Sequence, residues 1–134
     1  MFGKKKQPPI RTLVGEGTLI HGELLFNDGL RIDGEVLGDV TALGDGSSIL
    51  VISEKARVTG KVSGGHVIIN GTVNGPIRST ELLGLLELQP RAVIVGGVRY
   101  ESLEMHQGAL IDGELRPMSA TERPALKLAA SNPG

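Results

Sequence analysis

Seven residues in the middle of the chain, Ala56-Arg57-Val58-Thr59-Gly60-Lys61-Val62, read small–x–apolar–x–Gly–x–apolar. The pattern returns at 18–24, 34–40, 71–77, 92–98 and 109–115, so six copies and the segments that join them account for almost all of residues 12–115. Their apolar centres are Ile20, Val36, Val58, Val73, Ile94 and Ile111, separated by 16, 22, 15, 21 and 17 residues. An apolar–x–apolar pair precedes five of them: Leu30/Ile32, Leu50/Ile52, Val67/Ile69, Leu86/Leu88 and Leu103/Met105. Thr12/Val14 is a weaker version before the first. Self-similarity at a period of about 18 residues is the signature of a solenoid.

The alternation sets the local structure. Apolar residues at every second position mark short strands with one buried face. A glycine at the same place in each copy marks a corner, where positive φ or close backbone approach is needed. Three short strands and three corners use about 18 residues, one turn of a triangular coil. Turns stacked at about 4.8 Å make six of them a parallel β-helix roughly 30 Å long. Thr18, Gly34, Ala56, Gly71, Ala92 and Ala109 are then expected to form a column of small residues near a bend. The longer steps contain turn chemistry at 43–48, and residues 78–84 are expected to bulge similarly.

Composition agrees with a narrow aliphatic core. The chain has 134 residues, which suits one domain. Two Phe, one Tyr and no Trp leave Val, Ile, Leu and Ala to fill the interior. Twenty glycines are about twice the usual share. Without Cys there are no disulfides or thiolate metal sites. No apolar run approaches the roughly 18 residues of a transmembrane helix, and no apolar stretch follows the N-terminal charges as in a signal peptide. A cytoplasmic location is expected.

Charge divides the chain into three regions. Residues 12–115 hold seven Lys/Arg against 14 Asp/Glu, net −7. The remaining residues, 1–11 and 116–134, hold seven Lys/Arg and one Glu, net +6. An acidic body argues against nucleic acid, which needs a basic face. Residues 1–11 are expected to be a disordered basic tail, 12–116 the coil, and 117–134 a second disordered tail containing Pro117, Pro124 and Pro133. The first tail also reads as a membrane tag. Met1 and Phe2 can enter the lipid interface while Lys4, Lys5 and Lys6 meet anionic headgroups, at about 1 kcal/mol per lysine. One copy would bind weakly and many copies on one polymer tightly. Gly3 is not at the position myristoylation requires.

A β-helix with apolar residues every sixth position also describes trimeric left-handed enzymes of the acyltransferase or carbonic anhydrase type. Leu50, Ala56, Val62 and Ile68 have that spacing. Such an enzyme needs His as base or zinc ligand. His21, His66 and His106 fall in different columns of the repeat and are expected not to converge within one subunit. Gly44-Asp45-Gly46 and Gly64-Gly65 lack the Lys–Ser/Thr pair of a phosphate loop. No catalytic residue, metal or cofactor is therefore assigned.

The extremities carry the functional expectation. The first turn brings Val14, Ile20 and Leu24, and the last Leu103, Met105, Leu110, Ile111 and Leu115, with neither a helix nor a polar turn to seal them. Monomeric repeat proteins cover such ends with polar caps. Uncapped edges pair with other edges, and contacts that do not close give a filament. These eight residues are the expected polymer interface.

The segment 30–40, the recurring Ala-x-Val-x-Gly-x-Val blocks and the opening Met1-Phe2-Gly3-Lys4-Lys5-Lys6 resemble the bactofilins. The resemblance implies a right-handed all-β helix with flexible tails. It also implies assembly without nucleotide into non-polar filaments on the cytoplasmic face of the bacterial inner membrane. Such filaments are scaffolds for cell-wall synthases and peptidases and so affect cell shape. The family's N-terminal membrane contact maps onto Phe2, Lys4, Lys5 and Lys6. Where its last turn often carries an aromatic residue, this chain has Ile111.

Overall fold

The computed structural model describes residues 9–44, 47–75 and 82–117. These residues form fifteen strands and no helix. The strands are wound into a parallel β-solenoid of about six turns, each pairing with its equivalent one turn away.

The first face holds β1 (Ile10–Val14), β4 (Gly29–Ile32), β7 (Ile49–Ile52), the end of β9 (Val62–Ile69), β11 (Leu82–Leu88) and the end of β13 (Val98–Met105). The second is a six-stranded sheet of β2 (Leu19–His21), β5 (Glu35–Leu37), β8 (Arg57–Thr59), β10 (Thr72–Asn74), β12 (Val93–Val95) and β14 (Leu110–Asp112). The third contains β3 (Leu24–Phe26), β6 (Val40–Ala42) and the start of β9. Farther along, the start of β13 pairs with β15 (Leu115–Pro117). Because β9 and β13 run through a corner, the first and third faces join into one nine-stranded sheet.

Each column read from sequence is a register column. Ile20, Val36, Val58, Val73, Ile94 and Ile111 stack in that order. So do Val14, Ile32, Ile52, Ile69, Leu88 and Met105. The strand pleat makes this a core. In β5, β8 and β10 the central residue is buried and its two neighbours are not. Leu30, Ile32, Leu50, Ile52, Leu86 and Leu88 have no exposed surface. Burial of each such side chain stabilises the fold by about 1.5–3 kcal/mol. Phe26 is the aromatic member of the buried cluster, and the remainder are Val, Leu, Ile and Ala.

The small-residue column forms a corner of two designs. Four turns cross it in four residues, closed by a hydrogen bond from the fourth N–H to the first carbonyl: Thr18 to Gly15, Ala56 to Ser53, Ala92 to Gln89, and Ala109 to His106. The other two cross it in two residues, Asp33-Gly34 and Asn70-Gly71. A short corner nests against the wider one before it. A Cβ on Gly71 would sit 2.2 Å from the Ser53 carbonyl oxygen and 2.7 Å from that of Ala56. Alanine fits the wide corners, and the short ones have room only for hydrogen. Thr18 is exposed because no earlier turn lies over it.

The hexad spacing does not persist. Leu50, Ala56 and Val62 are buried, but Ile68 points outward between buried Val67 and Ile69. The strand has period two, and a six-residue step holds phase only while the corners keep equal length. Residues 45–46 of the expected loop and 78–81 of the expected bulge lie outside the described residues, as do residues 1–8 and 118–134.

Candidate functional site

The two extremities of the coil are the candidate site. At the first, β1, β2 and β3 each pair on one side only, with β4, β5 and β6. At the other, β14 pairs only with β12, and β15 only with β13. Edge strands of this kind present unsatisfied N–H and C=O groups, a template for another chain. Among the described residues, nothing lies across either end.

The side chains at these ends are apolar. At the first, Val14 is already buried, while Ile20 and Leu24 pack partly against the core. At the last, Leu103 and Ile111 are partly buried, and Met105 and Leu115 are 46% and 38% exposed. Seven of the eight expected interface residues therefore continue the inward columns. Leu110 differs. It pairs with Val93 in the outward column and is 62% exposed on the outer face of the six-stranded sheet. Its neighbour Ile111 takes the inward position, as the pleat requires.

Sequence reasoning missed a rim around the first turn. Leu13, Leu19 and Leu25 project outward from β1, β2 and β3, one per strand, and are 60%, 59% and 51% exposed. Their register partners in the next turn are Arg31, Glu35 and Thr41. The signal was present, since each leucine stands where the following copy has a polar residue. Met1, Phe2, Lys4, Lys5 and Lys6 lie outside the described residues.

Two of the histidines stand nearer each other than their separate columns suggest, without forming a common ligand group. His21 lies on β2, but His66 and His106 approach the same carboxylate, Glu87 of β11. The distances are 3.5 Å from His66 Nε2 to Glu87 Oε1 and 3.8 Å from His106 Nε2 to Glu87 Oε2. Their columns do differ, but only β11 separates β9 from β13. Outward side chains two positions apart on neighbouring strands are within reach of each other.

On the polar side, Asp33 and Ser53 link successive corners. The Ser53 hydroxyl donates to the Asp33 carboxylate, and Arg31 Nε donates to it at 3.0 Å. The Ser53 hydrogen bond first, and then Arg31, hold the Asp33 carboxyl below the usual carboxylate range despite its partial burial. Asp39 accepts from the Lys61 backbone N–H at 2.9 Å, and Asn70 accepts from that of Arg91 at 2.9 Å. Each bond connects one turn to the next.

Parallel rungs with edge-exposed, apolar extremities are an architecture suited to stacking. The class of protein follows from a family model described as polymer-forming cytoskeletal, which matches residues 12–116. The chain belongs to that family, the bactofilins. It is similar to Bactofilin BacP of Myxococcus xanthus (strain DK1622), at 29% identity over 124 residues. That match takes in 86% of this chain and 48% of the relative, so the chain spans about half the length of the curated relative it matches. No solved structure matches. No helix among the described residues is long and apolar enough to cross a membrane.

Proposed function

We propose that the chain is a bacterial scaffold that assembles end to end, without nucleotide, into non-polar filaments on the cytoplasmic face of the inner membrane, where it positions cell-wall synthases or peptidases. The observation that carries the reading is the pair of open extremities, each an edge of parallel strands around partly exposed aliphatic side chains. Burying them against a second copy gains about 25 cal/mol per Å² of apolar surface and satisfies the edge N–H and C=O groups. The membrane part rests on Met1, Phe2, Lys4, Lys5 and Lys6. Three lysines at about 1 kcal/mol each give weak attachment of one copy and strong attachment of a polymer.

One preparation tests both parts. Purified full-length protein, free of nucleotide and imaged by negative stain, is expected to form filaments unchanged by added ATP or GTP. These should sediment with vesicles containing anionic lipid. Deleting residues 1–6 is expected to leave the filaments and abolish co-sedimentation. A discrete trimer in place of filaments would instead support the enzyme reading.

A further inference from the structure

We infer that the outer face of β11 and β13 holds a binding site for a borderline divalent cation, with zinc(II) as the best fit, built from Glu87, Glu104 and His106.

Register assembles the three residues and sets His66 beside them. Glu87 and Glu104 are directly opposite on the parallel strands β11 and β13. His66 is opposite Leu85, two positions before Glu87 on the same face. The His106 N–H bonds to the Leu88 carbonyl, which brings His106 to the other side of Glu87. One ligand atom each from Glu87, Glu104 and His106 lie within 4.8 Å of one another. His106 Nε2 is 3.2 Å from Glu104 Oε2 and 3.8 Å from Glu87 Oε2. On the opposite side, His66 Nε2 is shielded from solvent and stands 3.5 Å from Glu87 Oε1.

Three arguments favour a cation. Like charges directly opposite on paired strands destabilise a sheet, and a divalent ion would neutralise the Glu87–Glu104 pair. The spacing also fits. Zinc bonds to His nitrogen and carboxylate oxygen at about 2.0–2.2 Å, so tetrahedral ligand atoms stand roughly 3.3–3.6 Å apart. The separations of 3.2 and 3.8 Å bracket that range. Finally, the Gln89 side-chain amide donates to Glu87 Oε2 and orients the shared carboxylate, as outer-shell partners of metal ligands do. An imidazole with two carboxylates suits zinc and its first-row neighbours better than magnesium or calcium, which prefer all-oxygen sites. The bound ion would tie the fifth and sixth turns together across the outer face.

The test uses tag-free, full-length protein stripped with EDTA and then desalted. Zn²⁺ is titrated in competition with a chromophoric chelator, and bound metal per chain is measured after desalting. Native protein is expected to retain one Zn²⁺ per chain and to melt at a higher temperature with Zn²⁺ than without. Mg²⁺ should do neither. Glu87→Gln and His106→Ala are each expected to weaken retention at least about tenfold and to lose the thermal shift, with β-sheet circular dichroism preserved. His21→Ala should behave as native. If Glu87→Gln does not fold, His106→Ala decides alone, since it alters an outward, 40% exposed side chain. Absence of stoichiometric zinc in the native protein, or equal retention by folded His106→Ala, overturns the site. Filament formation is a separate readout and stands or falls independently.

Discussion

The motif glycines are not equivalent, although the sequence writes them identically. A Cβ on Gly60, which has φ of 152°, would stand 2.3 Å from the Gly38 carbonyl oxygen. On Gly75, in the same column, its nearest neighbour would be the Gly60 carbonyl oxygen at 3.5 Å, an ordinary contact. Gly60→Ala is therefore expected to destabilise by about 1–3 kcal/mol through backbone displacement. Gly75→Ala should be neutral or gain a few tenths of a kcal/mol from a less flexible unfolded chain. Urea unfolding monitored by circular dichroism separates the two. The Asp33–Ser53 link makes a second prediction. A carboxyl lowered in the folded state contributes stability that is complete above the unfolded value, about 3.9, and lost as pH falls through the folded value. Ser53→Ala removes the main cause of the lowering. It is expected to raise the Asp33 value towards normal and to reduce stability at neutral pH while flattening its acid dependence. NMR titration of Asp33 alongside melting at pH 3 and pH 7 checks the sign.

At the scale of the strand, the first-face columns bear most of the packing. Leu50 of β7 has no exposed surface and stacks in register between Leu30 and Val67. Leu50→Ala is expected to cost about 2–5 kcal/mol, because two rigid neighbouring turns limit collapse into the cavity. The comparison is best made in a variant unable to assemble, so that self-association does not mask the loss. These strands were the most legible part of the sequence. The period-two pairs and the six apolar centres stand in the structure at the registers their spacing implied, down to the weak Thr12/Val14 copy on β1. Corners and outward neighbours were less legible. Whether a corner takes two residues or four depends on what the preceding turn leaves open, as at Gly71 over Ser53 and Ala56. His66 and His106 meet at Glu87 because of diagonal contacts on the outer surface, where no hydrophobic pattern marks phase. The outward position of Leu110 follows from pleat parity, which sets it opposite to its neighbour Ile111.

For the whole molecule, the ends should control assembly and the interior stability, with little exchange between them. Ile111 is partly buried at the extremity, and Leu115 lies on a strand paired on one side only. Ile111→Arg or Leu115→Arg places a charge where a second copy would dock. Either is expected to retain the β-sheet circular dichroism spectrum and to shift light scattering towards short species. A native protein that remains monomeric at high concentration would defeat end-to-end assembly altogether. Each rung bonds only to the rung before and the rung after it, and the solenoid has no long-range closure to satisfy. The length of such a body is therefore a free variable. Copying one repeat into the middle would lengthen the unit by about 4.8 Å and leave both extremities untouched. Duplication within the gene could thus change the spacing along a fibre without redesigning its joints.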